Sequence, residues 1–312
     1  MAAIQTFALE KSYSFGFWRK KPKSALRPLT ITVEEGEVFG YLGPNGAGKT
    51  TTLKLLMGLI FPTAGSAKIL GYDVGDPRAK AQIGFQPEQP YFYDYLSAHE
   101  LLNYYAQLSG VPAGDRQRKV EAVLDRVGLG NISPRLHLRK FSKGMLQRVG
   151  IAQAILHDPK IVFLDEPMSG LDPIGRREVR DLMLSLKEEG KTIFFSTHIL
   201  SDAEALCDRV AVLDHGELRG VGVIADLTSK VRGKFEVVWQ GGASQRALED
   251  LGCDCRVMGD IGRAMVEEGA LNVALEELRR TGGELISVNP ARATLEDYFI
   301  ERLASDSTEV AR

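Results

Sequence analysis

Apolar and polar positions along the chain fall into two regimes that change near residue 222. Before that point, short apolar runs alternate with helical patterns. Val38-Phe39-Gly40-Tyr41-Leu42 is apolar throughout, which predicts a strand buried on both faces. Leu53, Leu56, Met57 and Ile60 then recur at helical spacing. Residues 161–164 and 192–195 read as two more buried strands. Three helices precede them. Ser97 and Glu100 make a capping box ahead of Leu101, Leu102, Tyr105 and Leu108, and Gly110 ends that helix. A second helix covers about 115–127 and stops at Gly128; a third covers about 145–157. Asp172 caps a further helix that has Pro173 in first position and Gly190 at its end. Upstream, residues 2–13 alternate loosely, residues 15–23 read as a solvated hairpin tip, and residues 29–33 read as a strand.

Strands alternating with helices predict an α/β fold with a parallel sheet, and the three consecutive helices predict a helical insert at about 93–157. Beyond residue 222 the order becomes strand 234–239, helix 243–251, strands 254–258 and 263–267, helix 270–281 and strand 284–288. That βαββαβ order predicts a small ferredoxin-like α+β domain over 223–312, after a first domain over 1–222. A last helix is expected near Thr294.

A length of 312 residues accommodates two domains. A formal net charge of -2 removes any global electrostatic case for nucleic acid as a partner. Cys207, Cys253 and Cys255 form no C-x-x-C pair, and their odd number argues against a disulfide framework, which fits a reducing cytosol. The N-terminus lacks the long apolar core of a signal peptide. No run approaches the ~18 apolar residues of a membrane span, so work at a membrane would need another chain to carry the spans.

Between the strand at 38–42 and its helix lies Gly43-Pro44-Asn45-Gly46-Ala47-Gly48-Lys49-Thr50-Thr51. Glycines there let several backbone N–H groups converge on one anion, and the helix N-terminus adds its positive end. Lys49 is placed to reach the β- and γ-phosphates of a nucleoside triphosphate, and Thr50 to put its hydroxyl on Mg²⁺. The strand at 161–164 ends in Asp165-Glu166. Beside a P-loop, the first carboxylate can hold Mg²⁺ through water and the second can polarise a water for attack on the γ-phosphate. A second anion site is expected where Ser142 caps the helix after Phe141. It lies more than ninety residues from the P-loop on the helical insert, so two antiparallel chains bring the two sites together more readily than one.

These motifs resemble, in order and over roughly residues 4–220, the ATP-binding subunits of ABC transporters. Residues 43–51 match the Walker A motif and residues 161–166 Walker B. Ser142, Lys143, Gly144 and Met145 are similar to the ABC signature, with Lys143 and Met145 where the family's common form has glycine and glutamine. Ser169-Gly170-Leu171-Asp172 matches the D-loop, and His198 the switch histidine that contacts the γ-phosphate. The resemblance implies an ABC ATPase fold with antiparallel N-terminal strands. It implies two copies, or this chain and a paralogue, sandwiching ATP and Mg²⁺ and driving integral membrane permease subunits from the cytoplasmic face. It places Tyr13 on adenine, and Glu88 at the Q-loop position near the metal. The signature variant with Lys143 and Met145, Glu88 and the segment Leu295-Glu296-Asp297-Tyr298-Phe299 resemble a branch dominated by exporters. The competing readings are a soluble ABC-type ATPase of translation or DNA repair, and a GTPase or small-molecule kinase. Neither a second P-loop nor a sustained heptad pattern supports the former, and the latter has no use for the signature.

Overall fold

Two sheets meet across an apolar layer in the first part of the computed structural model, which describes residues 1–15, 21–227, 234–241, 244–290 and 295. The chain opens with β1 (Ala2–Phe15), β2 (Lys21–Leu29), β3 (Thr32–Glu34) and β4 (Val38–Leu42), which leads into α1 (Lys49–Leu56). β5 (Ala64–Ile69), β6 (Tyr72–Asp73), the short α2 (Pro77–Lys80) and β7 (Ile83–Gln86) follow. The helical insert consists of α3 (Ala98–Leu108), α4 (Ala113–Arg126) and α5 (Lys143–Ile155). The chain then alternates through β8 (Ile161–Asp165), α6 (Pro173–Glu188), β9 (Thr192–Thr197), α7 (Leu200–Leu206), β10 (Arg209–Asp214) and β11 (Glu217–Val223).

One sheet is antiparallel, in the order β2-β1-β5-β6 with β3 also on β1. The other runs β11-β10-β4-β9-β8-β7; it is parallel from β10 to β7, and β11 pairs antiparallel at its edge. β4, β8 and β9 are buried along their whole length because both faces are covered. Phe39, Tyr41, Phe163 and Phe194 face the antiparallel sheet and α1; Val38, Val162, Leu164, Ile193 and Phe195 face the insert and α6. Phe194 is the centre of the first layer, with ring centroids 5.5 Å from Phe39, 5.2 Å from Tyr41 and 5.6 Å from Phe163.

Two expectations need correction. Residues 29–33 are not one strand: β2 ends at Leu29 and β3 begins at Thr32. β1 bulges at Ala8, with φ +45°, and changes partner there. The exchange is stitched by Ala8 N–H to Thr30 Oγ1 (2.9 Å) and Ile31 N–H to Thr6 Oγ1 (2.9 Å). Ile60 is not on the P-loop helix, which ends at Leu56; Gly58 then turns at φ +66°, and the Leu59 amide folds back onto Lys54 O (2.9 Å).

The chain divides by contacts into Met1–Ile224 and Ala225–Arg312, and α8 (Ile224–Leu227) spans the division. The second unit contains β12 (Lys234–Gln240), α9 (Ser244–Glu249), β13 (Asp254–Met258), β14 (Ile261–Glu267), α10 (Leu271–Arg280) and β15 (Glu284–Pro290). Its sheet is antiparallel in the order β13-β14-β12-β15, and Val237, Trp239, Ala264 and Val266 pack on Leu248, Ala274 and Leu278 of the two helices. Of the expected helix near Thr294 only Leu295 is described, helical and buried; residues 16–20 of the expected hairpin tip lie outside the described residues, as do residues 296–299 of the C-terminal segment. Among the described residues no helix is long and apolar enough to cross a membrane.

Phe194→Ala should cost about 3–5 kcal/mol, the usual range for emptying a buried aromatic site, and a urea titration followed by far-UV circular dichroism reads it. All three cysteines are free thiols. Burial pushes the Cys207 thiol well up and the Cys255 thiol to about 11. Alkylation by iodoacetamide at neutral pH should therefore be slow at these two in the native chain, and fast once urea unfolds it.

Candidate functional site

β4, β9 and β8 are neighbours in the parallel sheet, so their carboxyl ends open at one edge, where such folds bind ligands. The loop after β4 is held tightly. Gly43 N–H donates to Thr197 O at the end of β9 (3.3 Å). A Cβ on Gly43 would lie 2.4 Å from Leu213 O, and one on Gly48 would lie 2.5 Å from Ala25 O. Gly48, at φ +104°, caps α1, so both space and backbone demand glycine there. Lys49 is buried, and its Nζ donates to Gly43 O (2.6 Å) and Pro44 O (3.2 Å). The same Nζ lies 3.1 Å from Glu166 Oε1, close enough to pair charges but not aligned as a hydrogen bond. A cleft of about 350 Å³ is lined by this loop together with Ala25, Glu88 and Glu166. α1 has no acidic residue in its first turn, so a helix N-terminus and an ammonium stand at an open cleft. That donor set suits a polyphosphate.

The two carboxylates at the end of β8 are set by its neighbours. Thr50 Oγ1 donates to Asp165 Oδ2 (2.9 Å), and Ser196 Oγ donates to Asp165 Oδ1 (2.6 Å). Thus both Asp165 oxygens are occupied, one from α1 and one from β9. Glu166 follows at φ +49°, a backbone region that costs a non-glycine residue about 1–2 kcal/mol. Its N–H is shared between Ser196 Oγ (3.0 Å) and Ser196 O (3.2 Å), which holds the turn. Glu166 Oε2 accepts from His198 Nδ1 (2.9 Å), so that nitrogen carries the proton and Nε2 is left for another partner. The first residues after β8 and β9 therefore meet over the loop after β4.

Ser142 caps α5, its Oγ accepting from Met145 N–H (3.2 Å). α5 has no acidic residue in its first turn either. Lys143 and Gly144 continue from the cap, and Lys143 Nζ reaches over Gly170, where a Cβ would be only 2.1 Å away. Asp172 caps α6, accepting from Gly175 N–H (2.8 Å). Ser142, Lys143, Gly144, Met145 and Asp172 do not line the cleft at the P-loop. The geometry thus separates two helix N-termini, at Gly48 and at Ser142, neither with an acidic residue in its first turn.

Residues 26–169 match the ABC transporter family model. An ABC transporter ATP-binding protein of Synechocystis sp. is 46% identical over 301 residues, covering 96% of this chain and 84% of its own. This chain belongs to the ATP-binding subunits of ABC transporters. The bacitracin transport ATP-binding protein BcrA of Bacillus licheniformis is 37% identical over 312 residues, 96% of each protein. A dimeric ATP-binding cassette solved in a post-hydrolysis state with ADP and phosphate superposes with TM-score 0.64 at 25% identity, over 70% of this chain and 98% of that one. The chain is accordingly an ATPase that binds ATP.

Gln86, at the end of β7, and Glu88, which the resemblance places at the Q-loop position, separate cleanly. Gln86 is fully buried and donates to Gln147 Oε1 of α5 (2.7 Å), whereas Glu88 lines the cleft. Tyr13 stands on β1 in register with Lys23, and Lys11 Nζ lies 5.1 Å from its ring centre. Ala25, two residues further along β2, lines the cleft and Tyr13 does not. Two features escaped the sequence reading. Ser196 holds Asp165 and the Glu166 amide; its signal was a hydroxyl at the end of a buried strand. Arg176 of α6 donates to Asp202 of α7 (3.1 Å), joining the helix capped by Asp172 to the one after His198. Burial pushes the Asp202 carboxyl up from its ordinary range, opposed by Arg176 and Arg180.

Ser196→Ala should lower ATP turnover about 10–100-fold, the usual loss when an orienting partner is removed. A steady-state ATPase assay checks this, and a thermal melt should show a cost of about 1–3 kcal/mol for the unsatisfied buried groups.

Proposed function

We propose that the chain powers export through separate membrane-spanning permease subunits, working as one of two ATPase copies that close head to tail on ATP. The partitioned site carries this reading: the P-loop cleft lacks the second phosphate-binding end, which sits at Ser142 on another part of the same copy. A second copy, or a paralogue, turned head to tail supplies Ser142, Lys143, Gly144 and Met145 to this cleft, with Asp172 beside them. The dimeric state of the cassette matched above supports a two-copy assembly. Transport names on relatives matched along nearly their whole length support a membrane role over a part in translation or DNA repair. Location on the inner face of the membrane follows from permease partners.

In this reading Gly43, Pro44, Asn45, Gly46, Ala47, Gly48, Lys49, Thr50 and Thr51 bind the phosphates. Thr50 and, through water, Asp165 would hold Mg²⁺, with Glu88 added from the Q-loop. Among the described residues no cluster of three or more His, Cys, Asp or Glu side chains is gathered as a metal site. A cation there would draw most of its oxygens from phosphate and water, which is the usual habit of Mg²⁺. Glu166 accepts a proton from the attacking water, and His198 orients it and the γ-phosphate. Tyr13 approaches adenine from the β1–β2 hairpin. The strand order β13-β14-β12-β15 supports a ferredoxin-like class for the second domain, divided from the ATPase domain near residue 222.

Lys49→Ala should weaken ATP binding about 10–100-fold, as the loss of a charge-assisted contact, in a fluorescent-nucleotide titration. Glu166→Gln should keep that affinity, lose about 10²–10⁴ in turnover and accumulate an ATP-bound dimer on a sizing column. An active, monomeric Glu166→Gln protein would remove both the base and the head-to-tail reading.

A further inference from the structure

Among the described residues, the outer face of the second unit's sheet carries exposed side chains. β14 alternates strictly: Gly262, Ala264 and Val266 are buried toward the helices, while Ile261, Arg263 and Met265 are exposed. Strand register arranges the exposed side chains in rows across the sheet. Arg256 of β13 stands opposite Arg263 of β14. The adjacent row carries Asp254, Met265 and Glu236. On the other side Met258 pairs with Ile261, and Met258 is 85% exposed. These side chains border a shallow cavity of about 670 Å³.

In the two central rows the charges are alike, Arg256 with Arg263 and Asp254 with Glu236, while the next row out pairs Lys234 with Glu267. Arg263 and Glu236 approach each other only to 3.8 Å, and both remain solvated. Two arginines side by side are a liability in an isolated sheet, because like charges directly opposite repel. A face carrying a basic row next to an acidic row is complementary to itself. A two-fold axis running across the strands between the two rows sets each copy's Arg256 over the other copy's Asp254, and its Arg263 over Met265 between Asp254 and Glu236. Such an isologous contact needs one patch with both signs, which an acidic or basic partner would not.

We propose that this face docks on the same face of a second copy of the chain. The proposal deepens the dimer reading above and rests on it for the copies being brought together. Met265 lies between the paired charges and becomes buried. The three rows over four strands cover about 400 Å² per copy, so the contact falls below the ~1,000 Å² total of a stable interface. It is therefore weak on its own and salt-sensitive, and it gains strength as an intramolecular contact once ATP joins the two copies.

Sedimentation velocity of the full-length, nucleotide-free chain tests this. Wild type should self-associate reversibly, about tenfold more weakly at 500 mM than at 50 mM salt. The double variant Arg256→Glu/Arg263→Glu and the double variant Glu236→Arg/Asp254→Arg should each be monomeric, because the two central rows then carry one sign. Mixed in equal amounts they should associate again. Each variant, combined with Glu166→Gln, should still form the ATP-bound dimer, which shows that it is folded. Charge-reversed variants that associate like wild type, or a mixture that stays monomeric, would overturn the proposal. Loss of the ATP-bound dimer in Glu166→Gln alone, with salt-sensitive association intact, would overturn the head-to-tail reading instead.

Discussion

The pairing of β4, β9 and β8 as adjacent parallel strands is the constraint on which the site depends. A parallel sheet delivers the carboxyl ends of its strands to one edge. Here the three loops that carry Lys49, His198 and Glu166 leave from neighbouring strands, so their side chains meet without a long excursion of any loop. The layer of Phe39, Tyr41, Phe163 and Phe194 beneath them resists any slip between these strands. Tyr41 extends the link toward the P-loop helix: its hydroxyl lies 3.0 Å from Thr52 Oγ1, which donates to Gly48 O. Core packing and loop geometry are thus one continuous structure.

On that base sits a buried group of charges. Lys49 lies between two carbonyls and Glu166, and Glu166 lies between Lys49 and His198. Burying an ammonium and a carboxylate is expensive, and their attraction offsets the cost only with good geometry and further hydrogen bonds. Here the Lys49–Glu166 contact is poorly aligned, and Glu166 Oε1 gains no hydrogen bond. A triphosphate brings Lys49 a stronger, better-aligned anion. In the proposed mechanism, binding therefore releases Glu166 from Lys49 just when it must accept a proton from water. The strained backbone of Glu166 aims the carboxylate at this position, and the Ser196 acceptors on its amide sustain the strain.

Most of this was legible in residues whose chemistry is local. The P-loop, Asp165-Glu166 and the cap at Ser142 each carry their signal in the spacing along one segment. The helix starts at Ser97 and Asp172 were equally readable, since a cap is a contact between residues three apart. What escaped was non-local or weakly patterned. β5 reads Ala64-Gly65-Ser66-Ala67-Lys68-Ile69, with too few apolar residues to announce a strand; its partner β1 makes it one. The break after Leu29 depends on β1 exchanging partners at Ala8, which no window around residue 29 contains. Ser196 and Asp202 matter because of Asp165 and Arg176, each more than twenty residues away.

The charge on Lys143 bears on why the site is divided. α5 begins at this residue, so its ammonium adds to the positive end of the helix dipole, an unfavourable pairing when nothing negative is near. No acidic residue in the first turn relieves it. The side chain leans away over Gly170, the only kind of residue that leaves it room at that turn. In the proposed dimer a phosphate group arrives at this end and turns the same arrangement favourable. The end of α5 is then uncomfortable alone and stabilised by nucleotide on a second copy, so part of the drive for closure is already present in the open chain. A glycine at position 143 would keep the backbone donors but lose this electrostatic bias.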